Sequence, residues 1–576
     1  MNRDKKEGRP ALHPSNRERA GAGKDKKRLW AAGLLIFFLL GVAMHAVYSY
    51  RRYNVILITI DTMRPDYLSC YNPKAAPTPN IDRIAENGVL FTHAYSLIPI
   101  TMPSHTSILT SREPTEIGLF NNGDRFEHKV PMISEILKRK GYTTGAFVSL
   151  GVLGRAFGLA GGFDAYNDDF SKTNGRFYKV ASEVNAVAIP WIEQNSKRRF
   201  FAWIHYSDPH EPYIAADAPP DTEIFINGAS HRKVTIAKKE KVTLEFIANP
   251  GENTIEFRPL NASADTEMKR FIDPNVFVSP AQTTELTFTG PWIDAKLHSG
   301  ATARYFQTPA SMRMINRNAQ PQKMQIRFSG GVWDQPVEEV RRNYGAEVQY
   351  TDRFIGELWT RLDRLHLLNR TIIVVTGDHG EGLKTHGILG HVDRLWNEIM
   401  HVPLIVYYPN LGSRGKKIDK LTNLLDIMPT VLDLLHVKNN KLMEGQSLKY
   451  YVSRSPIDWM VSSRLKRNWT FASTFAPEAA HNSFAITDGK LKVMHTPLRR
   501  NRQWEAYDLA RDPIEKKNLL RGNPKMAKAL LAMRDLLEAH RKEEETAHNN
   551  RKNPMLNPEE EQVLRNLGYV AGEDKN

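Results

Sequence analysis

Apolar runs separated by amphipathic segments give the first picture of this chain. Asn54-Val-Ile-Leu-Ile-Thr-Ile60 is continuous, apolar and rich in β-branched residues, the pattern of a strand covered on both faces. Similar runs lie at Thr144–Ser149, Phe200–Tyr206 and Thr371–Thr376, and helical periodicity occupies Pro79–Asn87, Met132–Lys140 and Val337–Leu365. Strands alternating with helices predict an α/β fold, a mostly parallel central sheet sandwiched by helices. The alternation lapses over 219–334. Short strands of period two appear there, at 223–226, 233–236, 241–246, 254–257, 285–288 and 323–328, with a turn at Asn249-Pro-Gly251. They predict an inserted all-β, sandwich-like domain, either a lid or spacer or a sugar-binding module. The α/β domain is thereby split into 53–218 and 335–440. The remainder, 441–576, reads as an α+β subdomain in which Leu530, Leu531, Met533, Leu536 and Leu537 form a broad apolar face of a helix over Pro524–Arg541. The charged stretch Arg541–Lys552 reads as a solvated helix face or a tether.

One run differs in kind. Leu29–Tyr50 has 22 residues without Asp, Glu, Lys or Arg. As a helix it would be about 33 Å long, enough for a hydrocarbon core of about 30 Å. Residues 1–28 before it form a basic tail with ten Lys/Arg against four Asp/Glu. This asymmetry predicts a transmembrane anchor over 29–50, with the tail cytoplasmic and the rest on the periplasmic or extracellular side. A cleaved signal peptide is the alternative. Its apolar region would be unusually long, and no clean small-x-small site precedes Arg51.

Composition changes the picture only at the edges. The 576 residues are 41% apolar and 25% charged, which supports a large core and excludes wholesale disorder. A single cysteine, Cys70, excludes an intrachain disulfide and a Cys-based zinc cluster. The net charge of +15 includes six from the tail and favours anionic partners weakly. No nucleic-acid-binding module is evident.

Candidate chemistry gathers where predicted strands end. The first runs into Asp61, the second into Asp208-Pro-His210, and another into Asp378-His379. Ligands of open parallel sheets bind beyond the carboxyl ends of the strands. A lone Asp after a strand is ordinarily a helix cap or turn residue. Three such ends together point instead to a divalent metal held by carboxylate and imidazole. In Thr101-Met-Pro-Ser-His105, Pro103 marks the first turn of a helix and puts Thr101 at its N-terminus, where anions are favoured. Beside a metal the Thr101 hydroxyl becomes a usable nucleophile.

These motifs resemble those of sulfatase-like proteins of the alkaline phosphatase superfamily. The carriers are Ile60-Asp-Thr-Met-Arg-Pro-Asp66, Thr78-Pro-Asn-Ile-Asp-Arg83, Thr101-Met-Pro-Ser-His105, Val375-Thr-Gly-Asp-His-Gly-Glu381 and His401-Val-Pro-Leu-Ile405. Asp426-Ile-Met-Pro-Thr-Val-Leu-Asp433 and Tyr507-Asp-Leu-Ala-Arg-Asp-Pro513 add to the likeness. The usual sulfatase pattern is Cys/Ser-x-Pro-Ser-Arg, whose first residue becomes formylglycine. Thr101 has a methyl on Cβ and cannot yield that aldehyde, and His105 replaces the Arg. The Thr-x-Pro-x-His string and Asn122 are similar to the superfamily's nucleotide phosphodiesterases. The resemblance implies Asp61, Thr101, Asp378 and His379 as ligands of one metal, and Asp208, His210 and His391 as ligands of a second. It implies His105 and Asn122 as substrate-binding, one or two divalent ions with Zn or Mn favoured and Ca or Mg as alternatives, and an anionic phosphate or sulfate ester, with a glycan or lipid among the candidates. A membrane-anchored metallohydrolase with a Thr nucleophile is the expected function, a phosphodiester the favoured substrate. A phosphoethanolamine-type transferase to an envelope glycan or lipid and an inactive binding scaffold are the alternatives.

Overall fold

The computed structural model describes residues 30–41 and 53–551, together with 561 and 564. Outside the description lie 172, 174–176, 212, 214–221, 235–241, 261–268, 273–276, 280–283, 290–291, 297–301, 308–309, 329, 334–336, 393, 410–413, 439–442, 454–463, 476–481, 498–502 and 521–527. Eight strands form the central sheet: β1 (Asn54–Ile60), β2 (Val89–Tyr95), β3 (Thr143–Phe147), β4 (Ala165–Asn167), β5 (Phe200–Tyr206), β6 (Thr371–Gly377), β7 (His401–Tyr407) and β8 (Lys416–Asn423). Their order is β8-β2-β7-β6-β1-β5-β3-β4. Only β7 runs against its neighbours in this sheet, so the expected largely parallel arrangement is present.

The pleat divides the core in two. On one face Val55, Leu57, Trp203 and Val374 pack with Met102 and Leu109 of helix α2 (Thr101–Thr110). On the other, Ile56, Ile58, Ile204, Tyr206 and Val375 pack against α1 (Pro79–Glu86), α3 (Ala181–Gln194) and α4 (Val337–Arg364). Helices cover both faces, which is why β1 and β6 read as unbroken apolar runs.

Between β5 and α4 the chain runs through antiparallel strands from Thr222 to Trp333, arranged in three sheets. Two of these sheets share a core that includes Ile224, Leu244, Phe246, Ile255, Met312 and Ile326. Beyond the central sheet, four antiparallel strands (Thr470–Thr474, Ser483–Thr487, Leu491–His495, Trp504–Asp508) carry helix α5 (Lys528–Asn549) through Leu530, Met533 and Leu537. The charged stretch after Arg541 continues α5, and its Glu544 is buried, unlike the solvated face expected there. Phe120, from the loop after α2, packs into this same cluster.

Of the apolar run at 29–50, residues 30–41 are helical with exposed side chains such as Leu34 and Phe37, and the rest lies outside the described residues. No helix among the described residues is long and apolar enough to cross a membrane.

Candidate active site

Register brings the acidic strand ends together. Ile60 pairs with Gly377 of β6 on one side and Tyr206 of β5 on the other. Asp61 and Asp378, each one residue further, therefore emerge side by side. Pleat parity then decides which side chains meet. Thr59, Asp61 and Asp378 continue the face that carries Val55 and Leu57, beneath α2, and His205 shares it because it pairs with Thr59. Asp208 follows Tyr206 by two and continues the opposite face.

Asp61, Thr101, Asp378 and His379 are fully buried. Both Asp61 carboxylate oxygens and Asp378 Oδ2 accept no hydrogen bond. Asp378 Oδ1 is held by the Thr62 and His379 N–H groups at 3.2 and 2.8 Å. His379 donates Nδ1–H to the Gly380 carbonyl at 3.1 Å, which leaves the Nε2 lone pair facing inward. That nitrogen lies 3.3 Å from Asp378 Oδ2, 3.5 Å from Thr101 Oγ1 and 3.9 Å from Asp61 Oδ1. Four ligands about 2.1 Å from a tetrahedral ion stand about 3.4 Å apart. Buried carboxylate oxygens without donors are costly unless a cation satisfies them. The donor set thus fits one divalent ion. The same strain appears in the acidities. Burial, then the charge of Asp61, raises the Asp378 carboxyl well above its usual range. Burial also works to raise Asp61, but His205, His210 and His379 outweigh it and hold Asp61 low. Gly380 keeps this corner tight, since a Cβ there would meet the Glu398 carbonyl oxygen at 2.1 Å.

Thr101 opens α2, and the amide of Met102 behind it donates to Asn122 Oδ1 at 2.9 Å. That bond orients the Asn122 side chain and leaves its buried NH2 without an acceptor. His105 takes a different place from the one expected. It is fully buried, with Nδ1–H on the Thr101 carbonyl at 2.8 Å and Nε2 on the Thr59 hydroxyl at 3.1 Å. Burial, then neighbouring His205, lowers its pKa to about 3, so it is neutral. Both nitrogens being engaged by protein, His105 braces Thr101 and does not face a substrate.

The second expected ligand set does not assemble. Asp208 accepts from the Ala181 N–H at 2.9 Å, at the first residue of α3, and from the Thr351 hydroxyl at 3.2 Å. It caps a helix on the face away from Asp61. His210 and His391 do stand near the first site. His210 donates to the Glu211 carbonyl at 2.9 Å and its buried Nε2 has no hydrogen-bond partner. His391 meets the buried Glu381 carboxylate through Nδ1 at 3.3 Å, and its ring lies 4.3 Å from that of His379 and 5.5 Å from that of His210. His386, nearby in the chain, is paired with Glu398 at 2.6 Å and stacked on Trp396.

His205 is the residue the motifs did not single out. Its Nδ1 accepts from the Ser149 hydroxyl at 2.7 Å and the Ser149 N–H at 3.3 Å, so Nε2 carries the proton. That N–H faces Asp61 Oδ2 at 3.6 Å. Its in-register pairing with Thr59 is the signal that finds it.

Known proteins supply the remaining findings. The sulfatase family model matches residues 53–437, about two thirds of the chain, and that of the N-sulphoglucosamine sulphohydrolase C-terminal region matches 387–543. An N-acetylglucosamine-6-O-sulfatase of Bacteroides thetaiotaomicron is 25% identical over 526 residues, covering 86% of this chain and 87% of the relative. A choline-sulfatase of Rhizobium meliloti is 23% identical, covering 84% of this chain and 86% of the relative. Among solved structures, one in complex with its substrate D-glucosamine-2-N,6-O-disulfate is similar in fold, with a TM-score of 0.59, 19% identity and coverage of 87% and 99% of the two chains. The phosphonate monoester hydrolase of Agrobacterium radiobacter is similar at a TM-score of 0.55, with 19% identity and coverage of 85% and 96%.

Proposed function

This chain belongs to the sulfatase family, and on that premise we propose that it is a metal-dependent hydrolase whose nucleophile is Thr101 and whose favoured substrate is a phosphodiester. The observation that carries the reading is the Thr101 hydroxyl, 3.5 Å from His379 Nε2 at the edge of two buried carboxylates. A divalent ion held by Asp61, Asp378, His379 and Thr101 would lower the pKa of that hydroxyl and offset the charge of the anionic ester. Imidazole in the donor set favours Zn or Mn over Ca or Mg. His210 or His391 takes the hydroxyl proton as the Thr101 oxygen attacks phosphorus, and the P–O bond to Oγ1 forms as the bond to the leaving oxygen breaks. Asn122 has a free NH2 for a non-bridging oxygen, and the N-terminal turn of α2 favours the same negative charge. The leaving oxygen takes a proton from His210 or His391, the two imidazoles beside His379. Water then displaces the phosphoryl group from Thr101 and gives up its proton to the same imidazole.

A sulfate ester is the second reading, favoured by the names of the relatives, which are sulfatases. Thr101 counts against it, because its methyl group forbids the formylglycine of the usual sulfatase pattern. We further propose that residues 29–50 anchor the chain in a membrane, leaving the catalytic domain on the periplasmic or extracellular side. The charge-free apolar run after a basic tail supports this.

Turnover of phosphodiesters, phosphomonoesters, phosphonates and sulfate esters by the full chain tests the reading. Phosphodiester cleavage that chelation abolishes and Zn or Mn restores is expected. Turnover of sulfate esters alone would overturn the substrate assignment, and indifference to prolonged chelation would overturn the metal.

A further inference from the structure

A second cluster of ligating side chains lies outside this site, between α5 and the loop that follows α2. His540 and Glu544 are four residues apart and share one face of α5. Glu113 comes from the loop, three residues beyond the end of α2. His540 Nε2 is 3.4 Å from Glu544 Oε1 and 3.9 Å from Glu113 Oε2. One ligand atom from each of the three residues lies within 4.8 Å of the others. These spacings again suit ligands about 2.1 Å from a common centre.

Two independent observations ask for a cation there. The Glu544 side chain is only 6% exposed. Its Oε1 accepts from the Ser473 hydroxyl at 3.0 Å and the Thr115 hydroxyl at 3.4 Å, but its buried Oε2 accepts from nothing. A network of protein hydrogen bonds alone leaves that oxygen bare, at a desolvation cost. Charge is the second. Glu113, Glu116 and Glu444 sit together with Glu544, linked by the Glu113 N–H to Glu444 at 2.8 Å and by Arg112 to Glu444 and Glu116 at 3.0 and 2.6 Å. Among the described residues, Arg112 and His540 stand against the carboxylates of Glu113, Glu116 and Glu544, while burial and a hydrogen bond with Glu116 push the Glu444 carboxyl up to about 8. The nearby Arg467 is committed to Asp426 through both terminal nitrogens.

We propose that Glu113, His540 and Glu544 form a second divalent-cation site, of the zinc class, that fastens α5 to the loop leading from the nucleophile helix to Asn122. Two carboxylates and one imidazole are ligands that zinc accepts readily. Phe120 already ties the same loop to α5 by packing on His548, with ring centroids 4.9 Å apart, so the cation would reinforce an existing junction. This site stands independently of the proposed activity.

The test compares the full chain carrying Asp378→Asn with the same chain carrying Asp378→Asn and Glu544→Gln. Each is dialysed against zinc, and bound zinc is counted by elemental mass spectrometry. Asp378→Asn alone should retain a tight zinc that the double variant lacks. Added zinc should raise the melting temperature of the first and not of the second. Should the double variant fail to fold, Glu113→Gln in the same background, a partly exposed loop position, reads the same difference. Equal zinc content and equal thermal response in the paired variants would overturn the proposal. Because the comparison is made within the Asp378→Asn background, a failure of the catalytic metal reading leaves it intact.

Discussion

The Thr101 hydroxyl owes its chemistry to the residues around it. It sits at the edge of two buried carboxylates and one oriented imidazole, with Asn122 fixed beside it by the Met102 amide. Asn122→Ala removes a donor aimed at the developing charge, and a loss of about 10²–10³ in kcat with little change in KM is expected from steady-state kinetics. His205 acts through Asp61. In His205→Ala the carboxylate loses its facing N–H, so metal affinity should fall about 10- to 100-fold, with turnover recovered at saturating metal. Chelator competition measures that affinity, and an unchanged value would reduce His205 to packing. Asp61, Asp378, His379 and Thr101 were legible in the sequence because each ends a recognisable strand or begins a recognisable helix. The places of Asp208 and His205 follow from one thing, which is parity. Tyr206 packs against α3 and α4, so Asp208, two residues on, had to follow it, and His205 had to face Asp61. His105 shows the limit of a motif, which gives a position in the chain but no direction for the side chain.

At the scale of elements, the unbroken apolar strands and the period-two strands of the insertion are readable, and the polar or interrupted strands of the central sheet are not. β8 is Lys416-Lys-Ile-Asp-Lys-Leu-Thr-Asn423, a polar edge strand whose lysines blunt a free edge. β7 contains Pro403 and a register shift between Val402 and Leu404, so it scans poorly although it lies inside the sheet. Asp208 at the start of α3 carries a prediction of its own. Burial pushes its pKa up to about 7, so the folded state holds a proton that the unfolded chain releases near 4. The folded state then binds more protons between these values, and stability falls as pH rises through that window. Asp208→Asn keeps the cap and removes the charge. Its melting temperature should therefore gain on the wild type as pH rises from about 4 to 7, while its metal content stays unchanged. A loss of metal in this variant would restore Asp208 to the ligand set.

At the scale of the molecule, the central sheet supplies the ligands and the C-terminal unit steadies them. The four-stranded sheet and α5 reach the loop after α2 through Phe120, which stacks edge-on against Phe475 at 5.3 Å. The order of these parts was visible in the sequence, since apolar periodicity marks each of them. How α5 returns to the nucleophile helix was not, because that contact joins residues more than 400 positions apart. Metal binding should also appear in global stability. The buried, donor-free oxygens of Asp61 and Asp378 favour the ion only in the folded chain. At a metal concentration 100 times Kd the gain is about 2.7 kcal/mol, and chelation should lower the melting temperature accordingly.

The most direct measurement is the turnover of Thr101→Ala in full chain loaded with metal, with the fold checked by circular dichroism. The four-residue cage and the Thr nucleophile together require a fall of about 10³-fold or more, with the fold retained. Turnover within about tenfold of the wild type in that folded variant would contradict the account at its centre.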